Sequence, residues 1–164
     1  MVHLYYGDGK GKTTAAIGMC IRAAGHGLPV LFVQFLKNDK SGEVSILQNI
    51  HNIKTLHNPC DFGFVFQMTE RQREKTACEF DRMLENAIDS NAFLIVLDEV
   101  LHALNAGLIE KPKLEKILEK KGEIVLTGNE APQWIIDKSD YISRIEKIKH
   151  PYDLGEKARI GIEY

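Results

Sequence analysis

At 164 residues, with 44% hydrophobic and 27% charged side chains, the chain can bury one core without help from metals or disulfides. Its 21 basic and 23 acidic residues leave a net charge of -2, which excludes the overall basic character of a nucleic-acid binder. Three cysteines without a close pair, Cys20, Cys60 and Cys78, exclude a disulfide framework and suit a reducing compartment.

In chain order, the apolar run Val2 to Tyr6 predicts a strand, and the apolar segment Ala15 to Ala24 predicts a helix buried nearly all round. Gly25-His26-Gly27 ends that helix and Pro29 prevents its return. Between strand and helix stands Gly7-Asp8-Gly9-Lys10-Gly11-Lys12-Thr13-Thr14. Three alternate glycines let successive N–H groups turn inward around an anion, Lys12 adds charge to its outer oxygens, and a Thr hydroxyl can complete a magnesium shell. The sequence therefore reads as a phosphate-binding loop, with a solvated Gly-rich turn as the bland alternative. Gly7 and Gly11 enclose three residues where the common pattern has four, and Tyr6 stands where its first Gly falls, so the usual assignment of Lys12 to the β- and γ-phosphates does not carry over.

Val30 to Phe35, relieved only by Gln34, predicts a buried parallel strand, followed by a polar loop from Leu36 to Glu43. A short helix over 44–52 and a short strand over 53–56 come next. His57 and Cys60 have a metal-like spacing, but no second ligand pair is near, and zinc is not expected. The loop Asn58 to Phe66 carries three phenylalanines, which either fold into the core, as composition alone favours, or cover something flat and apolar. Thr69 and Gln72 form a capping box ahead of an amphipathic helix over Glu70 to Asp89, with Ala77, Phe80, Leu84 and Ile88 on its apolar stripe.

Phe93 to Leu97 predicts the clearest buried strand, ending on Asp98-Glu99. Two carboxylates at a strand end downstream of a phosphate loop suit a magnesium ion on a nucleotide, although Asp98 could instead cap the next helix. A short helix from Leu101 stops at Gly107, and a second from Pro112 buries Leu114, Ile117 and Leu118. Strand Glu123 to Leu126 is closed by Thr127-Gly128-Asn129, a helix runs from Pro132 to about Lys138, and Tyr141 to Ile145 reads as another strand. Ile160 to Tyr164 reads as an edge strand or terminal arm. Strands alternating with helices predict a single α/β domain over residues 1–164, doubly wound on a mainly parallel sheet. Neither a leader nor an apolar run long enough to cross a bilayer is visible, so a cytoplasmic protein without membrane or nucleic-acid partners is expected.

Taken together, these loops resemble the P-loop family of ATP:corrinoid adenosyltransferases, which act in cobalamin biosynthesis or salvage. Gly7 to Thr14 fits the family's loop including its shortened spacing, and Arg22-Ala23-Ala24-Gly25-His26-Gly27, Val33-Gln34-Phe35-Leu36-Lys37, Val96-Leu97-Asp98-Glu99, Lys149-His150 and Gly161-Ile162-Glu163-Tyr164 also stand where similar words occur. The resemblance implies a P-loop NTPase-like fold. It also implies transfer of the 5′-deoxyadenosyl group of ATP to cobalt(I) of a corrinoid, with triphosphate released and ATP bound in the reverse of the usual direction. Gly7, Asp8, Gly9, Lys10, Gly11, Lys12, Thr13 and Thr14 would then form the triphosphate site, with Thr13 and Asp98 or Glu99 on Mg2+ or Mn2+. Gly63-Phe64-Val65-Phe66 aligns with a segment that presses on the lower corrin face, so corrin contact by Phe64 and Phe66 becomes the favoured reading. A reductase or flavoprotein supplying the electron and a homodimeric state are implied in the same way.

Three departures accompany the resemblance. The chain starts at its first strand, without the family's N-terminal extension, so weaker closure over the corrinoid is expected. The family's Leu-Thr-Gly-Arg is Leu126-Thr127-Gly128-Asn129 here, and its Ser-Glu is Ser143-Arg144, so Arg144 is expected to replace the missing Arg at the phosphates or to be a drifted surface charge. The residues alone also leave open a small phosphotransferase or ATPase, and a corrinoid- or nucleotide-binding protein without turnover.

Overall fold

Residues of the buried strands sort onto two faces by the two-residue period of an extended chain. In the computed structural model, which describes residues 1–37, 41–58, 63 and 65–162, this sorting produces two separate apolar layers. Val30, Phe32, Leu94, Val96 and Val125 pack against Ala16, Cys20, Ala23 and Leu47. Their neighbours Leu31, Val33, Ile95, Leu97, Ile124 and Leu126 face Phe80, Leu84, Leu101, Leu114, Ile117 and Ile135.

The elements are β1 (Val2–Tyr6), α1 (Lys12–Gly25), β2 (Val30–Gln34), α2 (Gly42–Gln48), β3 (Ile53–His57), a 3-10 turn (Val65–Gln67), α3 (Glu70–Asp89), β4 (Leu94–Asp98), α4 (Val100–Asn105), α5 (Lys111–Leu118), β5 (Glu123–Gly128), α6 (Gln133–Lys138), β6 (Tyr141–Arg144) and a second 3-10 turn (Pro151–Leu154). Six strands form one sheet in the order β3-β2-β4-β5-β1-β6, and every pairing is parallel. The carboxyl ends of the strands consequently share one edge, where the loops after β1, β2, β4 and β5 converge.

Helix α1 departs from the expected pattern. It begins at Lys12, and only Lys12, Ala16, Cys20 and Ala23 are buried, while Ile21 stays 46% exposed. Small Ala and Cys side chains let this face lie close on the sheet, while α2 packs against β3. Helix α3 starts as its capping box predicts, with the Thr69 N–H donating to Gln72 Oε1 at 2.8 Å and the Gln72 N–H to Thr69 Oγ1 at 3.4 Å. Ile160 to Ile162 form a turn with no sheet pairing rather than an edge strand, while Glu163 and Tyr164 lie outside the described residues. Cys60, Phe62 and Phe64 also lie outside them.

Candidate nucleotide and metal site

At the end of β1 the chain turns through Gly7, at φ +115°. The Gly7 N–H donates to Gly128 O at 3.2 Å and Asn129 O at 2.9 Å, and the Gly9 N–H to Ile145 O at 2.8 Å. A Cβ on Gly7 would stand 2.3 Å from Ile145 O, and one on Gly9 2.8 Å from the Glu146 backbone. These glycines therefore admit the chain leaving β6 rather than an anion, and their N–H groups are already engaged. That corrects the expectation of three glycines all turned inward. The anion donors move to the start of α1, where first-turn N–H groups have no carbonyl four residues back. Gly11 caps this helix at φ +116° and has open space where a Cβ would stand.

Lys12 is buried beneath the loop, its Nζ donating to Gly9 O at 2.8 Å. Burial pulls its ammonium below the ordinary lysine value, against the carboxylates of Glu99, Asp8 and Asp98, which favour the charge. The Lys147 N–H donates to Asp8 at 3.0 Å, tying the loop to the chain after β6. This bond holds Asp8 below the usual carboxylate range.

Asp98 ends β4 fully buried. Its Oδ1 accepts from Thr13 Oγ1 at 2.9 Å and Thr127 Oγ1 at 2.7 Å, and its Oδ2 from Gln34 Nε2 at 3.2 Å and Lys37 Nζ at 3.4 Å. Gln34 also reaches Glu43 at 3.4 Å. Asp98 stands at the carboxyl end of its strand, as expected from the sequence, and is the last residue of β4, fixed by side chains from α1, β2, β5 and the loop after β2. Glu99 follows in the left-handed region, φ +62°, an uncommon conformation for a residue with a side chain. Its N–H donates to Thr127 Oγ1 at 2.8 Å and its carboxylate pairs with His102 Nδ1. Burial opposes the Glu99 charge, but the hydrogen bond and charge of His102, with Lys37 and Lys12 behind it, hold the carboxyl below its ordinary value.

A cleft of about 610 Å³ opens over these groups, and Asp8, Gly9, Lys10, Gly11, Lys12, Thr13, Thr14 and Glu99 all line it. Asp98 lies behind Thr13, and Gly7 stays outside the lining. Arg144 does not line the cleft: it is exposed and paired with Glu146 at 3.4 Å. Phe66 is 80% exposed on the turn after β3 and stands apart from the cleft walls. Among the described residues, no group of three or more His, Cys, Asp or Glu is arranged to hold a metal. A hydroxyl and one carboxylate fit a hard cation that takes its remaining oxygens from phosphate and water.

Several site residues were missed by the sequence reading. Gln34 was visible as the single polar residue in an apolar run, and Thr127 as a polar residue ending another. Lys37 and Glu43 carry no such signal, since charge in a polar loop is ordinary. His150, Gly161 and Ile162, which stand in the words Lys149-His150 and Gly161 to Tyr164 that resemble the family but were given no role, reach the cleft from the C-terminal tail.

The sequence matches the family model described as ATP:corrinoid adenosyltransferase BtuR/CobO/CobP over residues 1–164. A corrinoid adenosyltransferase of Sinorhizobium sp is 31% identical over 170 residues, covering 96% of this chain and 77% of that protein. A corrinoid adenosyltransferase of Escherichia coli K12 is 29% identical, covering 100% and 85%. A KaiC-like protein of Pyrococcus horikoshii OT3 gives a TM-score of 0.47 at 20% identity, over 99% of this chain and 66% of that one.

Proposed function

Because the chain belongs to the ATP:corrinoid adenosyltransferase family, we propose that its cleft holds the triphosphate of ATP while a reduced corrinoid takes the adenosyl group. The observation that carries this reading is the convergence of the α1 start, buried Lys12 and the Thr13–Asp98 pair on one cleft. ATP-dependent adenosyl transfer to a corrinoid is the activity of the family. The step proposed here is attack of corrinoid cobalt(I) on the ribose C5′. The cobalt electron pair forms the Co–C bond, the C5′–O bond breaks, and its electrons leave with triphosphate. No protein nucleophile or general base is needed.

The chain's own work is positioning and charge. First-turn N–H groups of α1, the backbone of Lys10 to Thr14 and the Lys12 ammonium would hold the phosphates as charge develops on the leaving oxygen. Thr13 and Asp98 would hold Mg2+ or Mn2+, with Glu99 beside them; such an ion supplies charge neutralisation on the phosphates. Phe64 and Phe66 would meet the lower corrin face. A reductase or flavoprotein supplying the electron, a homodimer and a cytoplasmic location belong to the same proposal.

The test mixes the protein with magnesium-ATP and chemically reduced cob(I)alamin without oxygen. It follows the light-sensitive cobalt–carbon product by absorbance and the phosphates by ion chromatography. Adenosylcobalamin with equimolar triphosphate is expected. Phosphate or ADP with unchanged corrinoid would replace this reading with a phosphotransferase or ATPase, and ligand binding without any product would make the chain a binding protein.

A further inference from the structure

We propose that the Lys37 ammonium is a built-in stand-in for the divalent cation, seated at the metal position when nucleotide is absent and displaced when metal and nucleotide enter. This rests on the reading of Thr13 and Asp98 as metal-binding groups. Lys37 Nζ donates to Thr13 Oγ1 at 3.1 Å and lies 3.4 Å from Asp98 Oδ2 and 3.9 Å from Glu43 Oε1. A cation thus already sits among the oxygens that a hard metal ion would use. The other partners of Asp98, Thr13, Thr127 and Gln34, are uncharged, and a fully buried carboxylate without a countercharge is strongly unfavourable. Among the described residues, Lys37 makes the one ion pair with Asp98.

The backbone aims it there. Leu36, two residues after β2 ends, takes φ +57°, one of two non-glycine residues in the left-handed region among those described, the other being Glu99 at the same site. Such a conformation in a residue with a branched side chain is retained where the surroundings enforce it. Here it folds Lys37 back over the strand end. Lys37 also lines the cleft, with its side chain 32% exposed, so the ammonium has room to leave towards an incoming phosphate. Two cations cannot share this position, because their repulsion a few ångströms apart in a partly desolvated site far exceeds that in water. The stand-in makes the empty site resist free metal and accept it together with an anion that takes over the lysine.

The test measures binding of Mn2+ to the nucleotide-free protein by electron paramagnetic resonance. Lys37→Gln is expected to bind Mn2+ at least tenfold more tightly than wild type and to melt several degrees lower, with Mn2+ restoring the loss. Lys37→Arg, which keeps the charge, is expected to behave as wild type. Lys10→Gln, which removes a cleft charge without vacating the position, is expected to change Mn2+ affinity less than threefold. Equal gains in Lys37→Gln and Lys10→Gln, or no gain in the former, overturn the proposal. The metal reading is checked separately with ATP present, where Asp98→Asn, or Thr13→Val if that variant does not fold, should lose Mn2+. Loss of Mn2+ there with no gain in Lys37→Gln rejects the stand-in alone; retention of Mn2+ there rejects both.

Discussion

The hydroxyl of Thr127 is used twice, donating to Asp98 Oδ1 and accepting from the Glu99 N–H. Thr127→Val keeps the shape and removes both bonds at a fully buried site, so a loss of about 2 kcal/mol in urea unfolding is expected, whereas Thr127→Ser should lose under about 1 kcal/mol. Phe66 offers the opposite situation, a large ring left 80% exposed. If it meets the corrin, Phe66→Ala should lower kcat/KM for corrinoid about tenfold, the equivalent of roughly 1.4 kcal/mol, and leave ATP affinity unchanged by calorimetry. Equal losses for both substrates would contradict that role. Burial pushes the Cys20 thiol from 9.0 up to about 12, with the Asp98 charge adding to it. Over that range the unfolded chain releases a proton that the folded chain keeps, so stability present below pH 9 is lost as pH rises towards 12. Cys20→Ala should therefore show a shallower fall in its urea midpoint above pH 9. The sequence could mark Asp98 as a candidate, but not that Gln34, Thr127 and Lys37 surround it, because those bonds join residues far apart in the chain.

At the scale of elements, the phosphate loop is shaped as much by what lies behind it as by what it binds. Gly7 and Gly9 are required by the approach of Ile145 and Glu146, whereas Gly11 has open space beside it. Gly7→Ala is expected to destabilise the protein by about 3 kcal/mol through backbone collision and strain together, and Gly11→Ala by about 1 kcal/mol through strain alone. Thermal melts of the two variants check the order. The loop, its strand and its helix were legible because glycine spacing and apolar periodicity are local signals. The division of labour among the glycines was not, since it depends on β6, more than a hundred residues downstream. Helix α1 teaches the converse lesson: an Ala-rich segment reads as buried all round, yet its small side chains serve close contact on one face only.

For the molecule as a whole, a parallel sheet with helices on both faces followed from alternation of elements, while the strand order β3-β2-β4-β5-β1-β6 and the tail's position did not. Residues 145 and 147 brace the loop, whereas His150, Gly161 and Ile162 wall the cleft. A chain ended after Lys149 should keep the sheet and melt within a few degrees of the full chain. The truncation removes the exposed Lys147–Asp153 pair, of a kind that contributes little. Calorimetric affinity for ATP should nevertheless weaken about tenfold, which corresponds to roughly 1.4 kcal/mol. The sheet order also has a temporal side. Within the sheet β1 is synthesised before the other strands, yet both of its neighbours, β5 and β6, are made after all the rest. β2, β3 and β4 can assemble while β1 waits, and the phosphate loop takes shape only once β6 and the residues after it have emerged. Nucleotide therefore cannot template early folding, and the waiting strand, with its apolar residues uncovered, is the segment for which a nascent-chain chaperone has the longest use.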